Sequence, residues 1–206
     1  MVFEIVGRDA ELASLDSFIG EMEGGAAALV LEGEAGVGKS TLWGAGVEYA
    51  RAGGLRILSS RPAEAERGLG NVGLGDLLEG VVDDVLPALL RPRRRALQVA
   101  LLREEASGDP VDRRTLAVAV HDALRFLSER GPILIAVDDV QWLDPSSSRA
   151  LGFALRRLDA SPVILLLARR LVEGAHQSEL ERALSADRVR PLIVGPLSVG
   201  APSIPA

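Results

Sequence analysis

The sequence predicts an α/β fold, a five-stranded parallel sheet with helices on both faces. Three observations carry this. Short apolar runs at 26–31, 133–137 and 163–168 show no polar alternation, as expected of strands buried on both faces. Segments with helical apolar spacing separate them. Between the first run and a helix-forming segment lies Gly33-Glu34-Ala35-Gly36-Val37-Gly38-Lys39-Ser40-Thr41, which fits the phosphate-loop pattern G-x-x-x-x-G-K-[ST].

Taken in order, residues 7–12 open a helix with Leu12, Leu15, Phe18 and Ile19 on one face, and Gly24-Gly25 ends it. The first strand, 26–31, leads into the phosphate loop and a helix from Ser40 to about residue 50. Gly53-Gly54 breaks that helix, and 55–59 is the second strand. Residues 61–75, rich in Gly, Glu and Arg, read as a loop. Leu74, Leu77, Leu78, Val81, Val85 and Leu86 then recur at helical spacing until Pro87 interrupts. The next helix begins near Pro92, with Leu97, Val99, Leu101 and Leu102 as its apolar positions, and Ser107-Gly108-Asp109-Pro110 is a turn. Asp112 caps a helix reaching Glu129, with Leu116, Ala119, Val120, Ala123, Leu124 and Leu127 inward, and Gly131-Pro132 stops it. After the third strand, 133–137, Asp144-Pro145 starts a helix with Leu151, Leu155 and Leu158 as its stripe. The fourth strand is 163–168, Ser178-x-x-Glu181 is the capping box of a short helix, and 189–194 is the fifth strand. Residues 1–195 are expected to form one domain, and 196–206, rich in Pro, Gly, Ala and Ser, a flexible tail.

Composition excludes several classes. There is no cysteine, hence no disulfide framework or thiolate metal site, and two isolated histidines argue against zinc. Aromatic content of 3% requires an aliphatic core. A net charge of −6 argues against a nucleic-acid-binding surface. No apolar run approaches the ~20 residues of a membrane span, and no signal-peptide pattern is present, so a cytoplasmic location without membrane contact is expected.

The phosphate loop has a physical rationale. Gly33, Gly36 and Gly38 let successive N–H groups turn toward an anion. Lys39 supplies a point charge for the β- and γ-phosphates of a nucleotide, Ser40 a hydroxyl for Mg²⁺, and the following helix its positive end. Among 23 Lys plus Arg, Lys39 is the only lysine. A chain that otherwise uses arginine for every cation places its one compact ammonium here. Such a site also needs a carboxylate at the end of a buried strand. The third strand supplies two: Asp138 to orient Mg²⁺ and Asp139 to polarise the attacking water. Asp83-Asp84 lacks a preceding strand and reads as a solvated helix face. The run Arg91, Arg93, Arg94, Arg95 has no interleaved aromatics and reads as a solvated helix start. His121 and His176 have no partner at ligand spacing.

Gly7-Arg8-x-x-Glu11-Leu12, residues 33–41 and Asp138-Asp139-x-x-Trp142-x-Asp144 together resemble the ATPase domain of the large LuxR-type transcriptional regulators, in the STAND branch of the AAA+-like P-loop ATPases. The segment 86–98 and Pro196-Leu197-Ser198 are similar to the family as well. Cyclase-linked proteins carry a similar domain. The resemblance implies an ASCE, AAA+-like core that binds ATP or ADP with Mg²⁺ and hydrolyses ATP slowly as a switch. It implies that Val6, Gly7 and Arg8 lie near the adenine. It also implies a polar γ-phosphate sensor after the fourth strand, where family spacing favours Arg170 over Arg169, and a Trp142 that fixes the Asp loop. Family members continue into a helical lid and a C-terminal helix-turn-helix, whereas this chain stops where the lid would start. Direct nucleic-acid binding is therefore not expected of these residues, while protein partners or self-association are compatible with them. A binding module without turnover is the alternative function. A phosphotransferase would need acceptor-binding residues, which the sequence does not display.

Overall fold

The computed structural model describes residues 5–21, 25–105, 111–158, 161–171 and 177–196. The expected turn at 107–110, His176 and the tail from Leu197 onward lie outside them.

Five parallel strands, β1 (Ala27–Gly33), β2 (Arg56–Ser60), β3 (Ile133–Val137), β4 (Val163–Arg170) and β5 (Val189–Ile193), form one sheet in the order β2-β3-β4-β1-β5. β4 thus stands between β1, which carries the phosphate loop, and β3, which carries the acidic pair. All the carboxyl ends lie on one edge, where ligands of open parallel sheets bind.

Both faces are covered. Alternate residues of β1, β3 and β4 (Leu29, Leu31, Leu134, Ala136, Leu166, Ala168) meet α1 (Asp9–Gly20) and α2 (Lys39–Ala52) through Leu15, Phe18, Leu42 and Val47. The opposite parity (Val30, Ile135, Val137, Leu165, Leu167) packs under α3 (Val72–Leu78), α4 (Val82–Val85), α5 (Arg91–Ala100), α6 (Arg113–Ser128) and α7 (Pro145–Leu155). Two-sided burial is why these strands are continuously apolar. Apart from Phe18 and Trp43 the fully buried core is aliphatic, as the composition required.

Several segments differ from the sequence reading. The helix expected over 74–86 is two, α3 and α4, divided at Glu79-Gly80, where glycine's backbone freedom weakens a helix. Pro87 sits in a 3₁₀ turn, Leu86–Ala88. Within the supposed loop 61–75, residues 64–66 form a 3₁₀ turn and α3 already starts at Val72. Of the apolar positions assigned to α5, only Leu97 is buried. The helix ends at Ala100, and Leu102, at φ 55, is left 92% exposed. Ser178 and Glu181 do exchange their capping-box bonds, but over a 3₁₀ turn, Glu181–Ala183. No helix among the described residues is long and apolar enough to cross a membrane.

The arginine run is structural over most of its length. Arg94 donates to the carbonyls of Leu86, Pro87 and Leu89, Arg93 pairs with Asp122, and Arg95 lies 3.2 Å from Glu104. Asp83 and Asp84 are on the exposed surface beside Arg103 and Arg56.

Candidate functional site

β1 ends at Gly33 and the chain turns through residues 34–38 into α2. Gly36 (φ 81) and Gly38 (φ 99) take left-handed conformations that disfavour any side chain. Gly38 immediately precedes α2, so the unpaired N–H groups of a 14-residue helix open onto the loop. Gly33 is required for space instead: a Cβ there would lie 2.4 Å from the Val194 carbonyl oxygen. Glu34, Ala35 and Gly36 are exposed, Val37 is half-buried, and Ser40 and Thr41 are exposed on the first turn of α2.

Lys39 is only 7% exposed, and its Nζ donates to the Glu34 carbonyl at 2.7 Å. Burial lowers its pKa below the ordinary lysine value. The carboxylates of Asp139 and Asp138 work against that shift, and the Arg170 guanidinium works with it. The ammonium therefore feels three of the other charged groups singled out in the sequence, which come from the ends of β3 and β4.

Asp138 follows β3 directly and is 8% exposed. Its N–H donates to the Ser60 carbonyl, continuing the β2–β3 ladder, and Arg61 Nε lies 3.9 Å from its Oδ2. Asp139 is one of three described non-glycine residues with positive φ, at 49°. Its Oδ1 accepts from Gln141 Nε2 at 2.7 Å and lies 3.6 Å from Arg170 Nε. Gln141 also accepts, through Oε1, from the Arg170 backbone N–H at 3.4 Å. One amide thus ties the end of β4 to the carboxylate after β3. Trp142, half-buried in the 3₁₀ turn Val140–Trp142, donates its backbone N–H to the Asp139 carbonyl at 2.9 Å.

β4 runs two residues beyond its apolar run, pairing Glu32 with Arg169 and Gly33 with Arg170. Successive strand side chains point to opposite faces. Arg169 reaches Glu32 at 2.6 Å and Glu181 at 3.7 Å, both buried, while Arg170 turns to Asp139.

On the other flank, Gly7 is exposed at φ 73, and Arg8 is 5% exposed. Arg8 Nη1 donates to Glu11 Oε1, and Nη2 donates to the carbonyls of Val37 and Gly195, each at 2.7 Å.

The sequence reading missed Gln141 and Arg61. Gln141 lies inside the Asp138–Asp144 block, where the sequence pattern gives it only a spacer position. Arg61 opens the Gly/Glu/Arg-rich segment and had no visible partner. Its guanidinium sits over the Trp43 ring, 4.7 Å from the centroid.

A parallel sheet in this order, with a glycine-rich loop at the end of β1 and an acidic pair at the end of β3, defines a P-loop NTPase-type protein. The chain belongs to the AAA ATPase domain family, whose model matches residues 4–167. It is 29% identical over 219 aligned residues to an uncharacterized protein of Rhizobium meliloti (strain 1021), covering 90% of this chain and 21% of that protein. It superposes on a chain of Drosophila ORC bound to DNA with a TM-score of 0.53 at 18% identity, covering 92% of this chain and 43% of that one. The AMPPCP-bound DnaA of Aquifex aeolicus matches with a TM-score of 0.46 at 14% identity, over 95% of this chain and 48% of that one. The chain thus spans between a fifth and a half of the length of these three proteins.

Proposed function

We propose that this chain is the Mg²⁺-ATP-binding, slowly hydrolysing switch domain of a signalling regulator, of the kind found in large LuxR-type transcriptional regulators. The convergence of Lys39, Asp138, Asp139 and Arg170 on the edge occupied by residues 33–41 carries this reading. Residues 1–195 would be the ATPase domain, with residue 196 opening the connection toward a lid.

The donor set suits the ligand. Among the described residues no cluster of three or more His, Cys, Asp or Glu could hold a metal alone. Mg²⁺ is characteristically held by one or two carboxylates together with substrate phosphates. Ser40 and Asp138 would hold it, and its contribution when bound is to neutralise phosphate charge. Lys39 and the loop N–H groups would hold the β- and γ-phosphates. Asp139 would orient the attacking water, with Gln141 fixing its carboxylate, and Arg170 would face the γ-phosphate. Gly7 and Arg8 would flank the base.

Slow turnover follows from the same geometry. The Asp139 carboxylate accepts from Gln141 and lies 3.6 Å from Arg170, so an attacking water would have to share it with these partners. A single domain also supplies no arginine in trans. Phosphate release from Mg²⁺-ATP is expected to fall about tenfold or more in Asp139→Asn, with binding retained. Equal release by parent and variant would favour the alternative, a nucleotide-binding interaction module. Direct DNA contact is not part of this reading, since the net charge is −6 and Arg93, Arg94 and Arg95 have partners within the chain.

A further inference from the structure

We propose that Arg8 is a positioning residue for the phosphate loop: it sets the Val37–Gly38 peptide for an incoming phosphate and ties that peptide to the chain leaving β5. This rests on the nucleotide-site reading above and adds a role for a residue outside the loop.

A single terminal nitrogen of Arg8 serves two carbonyls, Val37 and Gly195, that are 158 residues apart in sequence. Its other terminal nitrogen faces Glu11, and this hydrogen bond holds the Glu11 carboxyl below its usual range. With 5% exposure the guanidinium has exchanged water for these partners, so the contacts are part of the fold. None of the described peptide bonds is cis. In a trans peptide the C=O and N–H point in opposite directions. A Val37 carbonyl fixed on Arg8 therefore leaves the Gly38 N–H directed away from Arg8. That N–H belongs to the left-handed glycine that opens α2.

The second tie is steric and independent of Arg8. Val194 donates its N–H to Glu32 at 2.7 Å, and its carbonyl occupies the space a Gly33 side chain would need. Residues 194–195 thus rest on the start of the loop directly and on its middle through Arg8. The two loop carbonyls that carry cations differ in kind. Lys39 must leave Glu34 to serve a phosphate, whereas Arg8 keeps Val37 in place while it does. Ordering of the loop by nucleotide then reaches the segment after β5 by two routes, the direct contact of Val194 with the start of the loop and the Arg8 guanidinium at its middle.

The test uses the full chain with Mg²⁺-ATP, calorimetric affinity and amide hydrogen exchange. In the parent, saturating nucleotide is expected to slow exchange over both 33–41 and 189–196. Arg8→Met should weaken affinity about tenfold. At saturation it should keep the slowing over 33–41 and lose the larger part of it over 189–196, the remainder passing through the Val194–Glu32 contact. Arg8→Lys keeps the charge beside Glu11 without the guanidinium fork and should fall between. It also covers the case in which the Met variant fails to fold. Parent-like affinity together with parent-like slowing over 189–196 in a folded Arg8 variant would overturn the proposal. Slowing confined to 33–41 in the parent would overturn the tie to β5. No nucleotide effect in the parent would overturn the site reading itself.

Discussion

Lys39→Met is expected to fold at least as stably as the parent and to bind Mg²⁺-ATP about a hundredfold more weakly. The two halves have opposite signs because Lys39 is held for its ligand at the expense of the fold. Its pKa is lowered mainly by burial, so the charged form is less favourable in the native state than in the unfolded chain. At neutral pH the ionised side chain therefore subtracts stability; this cost begins to shrink as pH rises past the lowered native value and is gone above the unfolded one. Methionine keeps the aliphatic stem and removes the buried charge, leaving the Glu34 carbonyl at an exposed residue free to meet water. Melting temperatures with and without Mg²⁺-ATP read both effects. A parent-sized nucleotide shift in the variant would remove Lys39 from the site. The composition adds a chemical check: with one lysine in the chain, an amine-acylating reagent can add only at the α-amino group and Lys39. Labelling of Lys39 should set in at lower pH than for an ordinary lysine, and ATP should suppress it.

The parts legible in sequence were those written in local chemistry. β3 was read to the residue, because five apolar positions between Gly131-Pro132 and two aspartates leave no other boundary. The loop glycines and Asp112 as the cap of α6 were visible for the same reason. What stayed hidden depends on strand order and parity. That Arg169 turns into a buried cluster while Arg170 turns to the site follows from the alternation of β4. Alternation becomes informative only once it is known which face carries α2 and which carries α7. The role of Gln141 needs β3 and β4 to be neighbours, and the Arg8 contacts join residues 29 and 187 positions apart, a separation no local pattern encodes. Leu102 misled for a simpler reason: helical spacing continued in the sequence past the point where the helix stopped.

Asp144 shows how much a correct local reading can understate. It caps α7 as expected, its Oδ1 accepting from Ser146 and Ser147. The same carboxylate also accepts from the N–H groups of Asn71 and Gly73, at 2.9 and 3.1 Å, at the start of α3. One buried side chain thus closes two helix N-termini from segments 73 residues apart. Leu74 N–H joins the same junction through Ser147 Oγ. Gly73 allows the approach, since a Cβ there would lie 2.3 Å from Leu143 Cδ1. Asp144→Ala leaves four backbone donors without their acceptor and is expected to cost about 3–5 kcal/mol. At this chain length that corresponds to a fall of roughly 10 °C in Tm. Asp144→Asn should cost less, because Oδ1 can survive as the amide oxygen while the NH₂ confronts the Gly73 N–H. The acid dependence separates charge from shape. Burial pushes the Asp144 pKa up, but hydrogen bonds from Ser147, Asn71 and Gly73 outweigh it and hold the carboxyl below its ordinary value. Its contribution is therefore complete above the unfolded value of ~3.9 and lost as pH falls through the lower native one. The Tm gap between parent and Asp144→Asn should be constant around neutrality and narrow in strong acid. A gap that stays constant through that range would mean that the junction needs only the shape of the side chain and gains nothing from its charge.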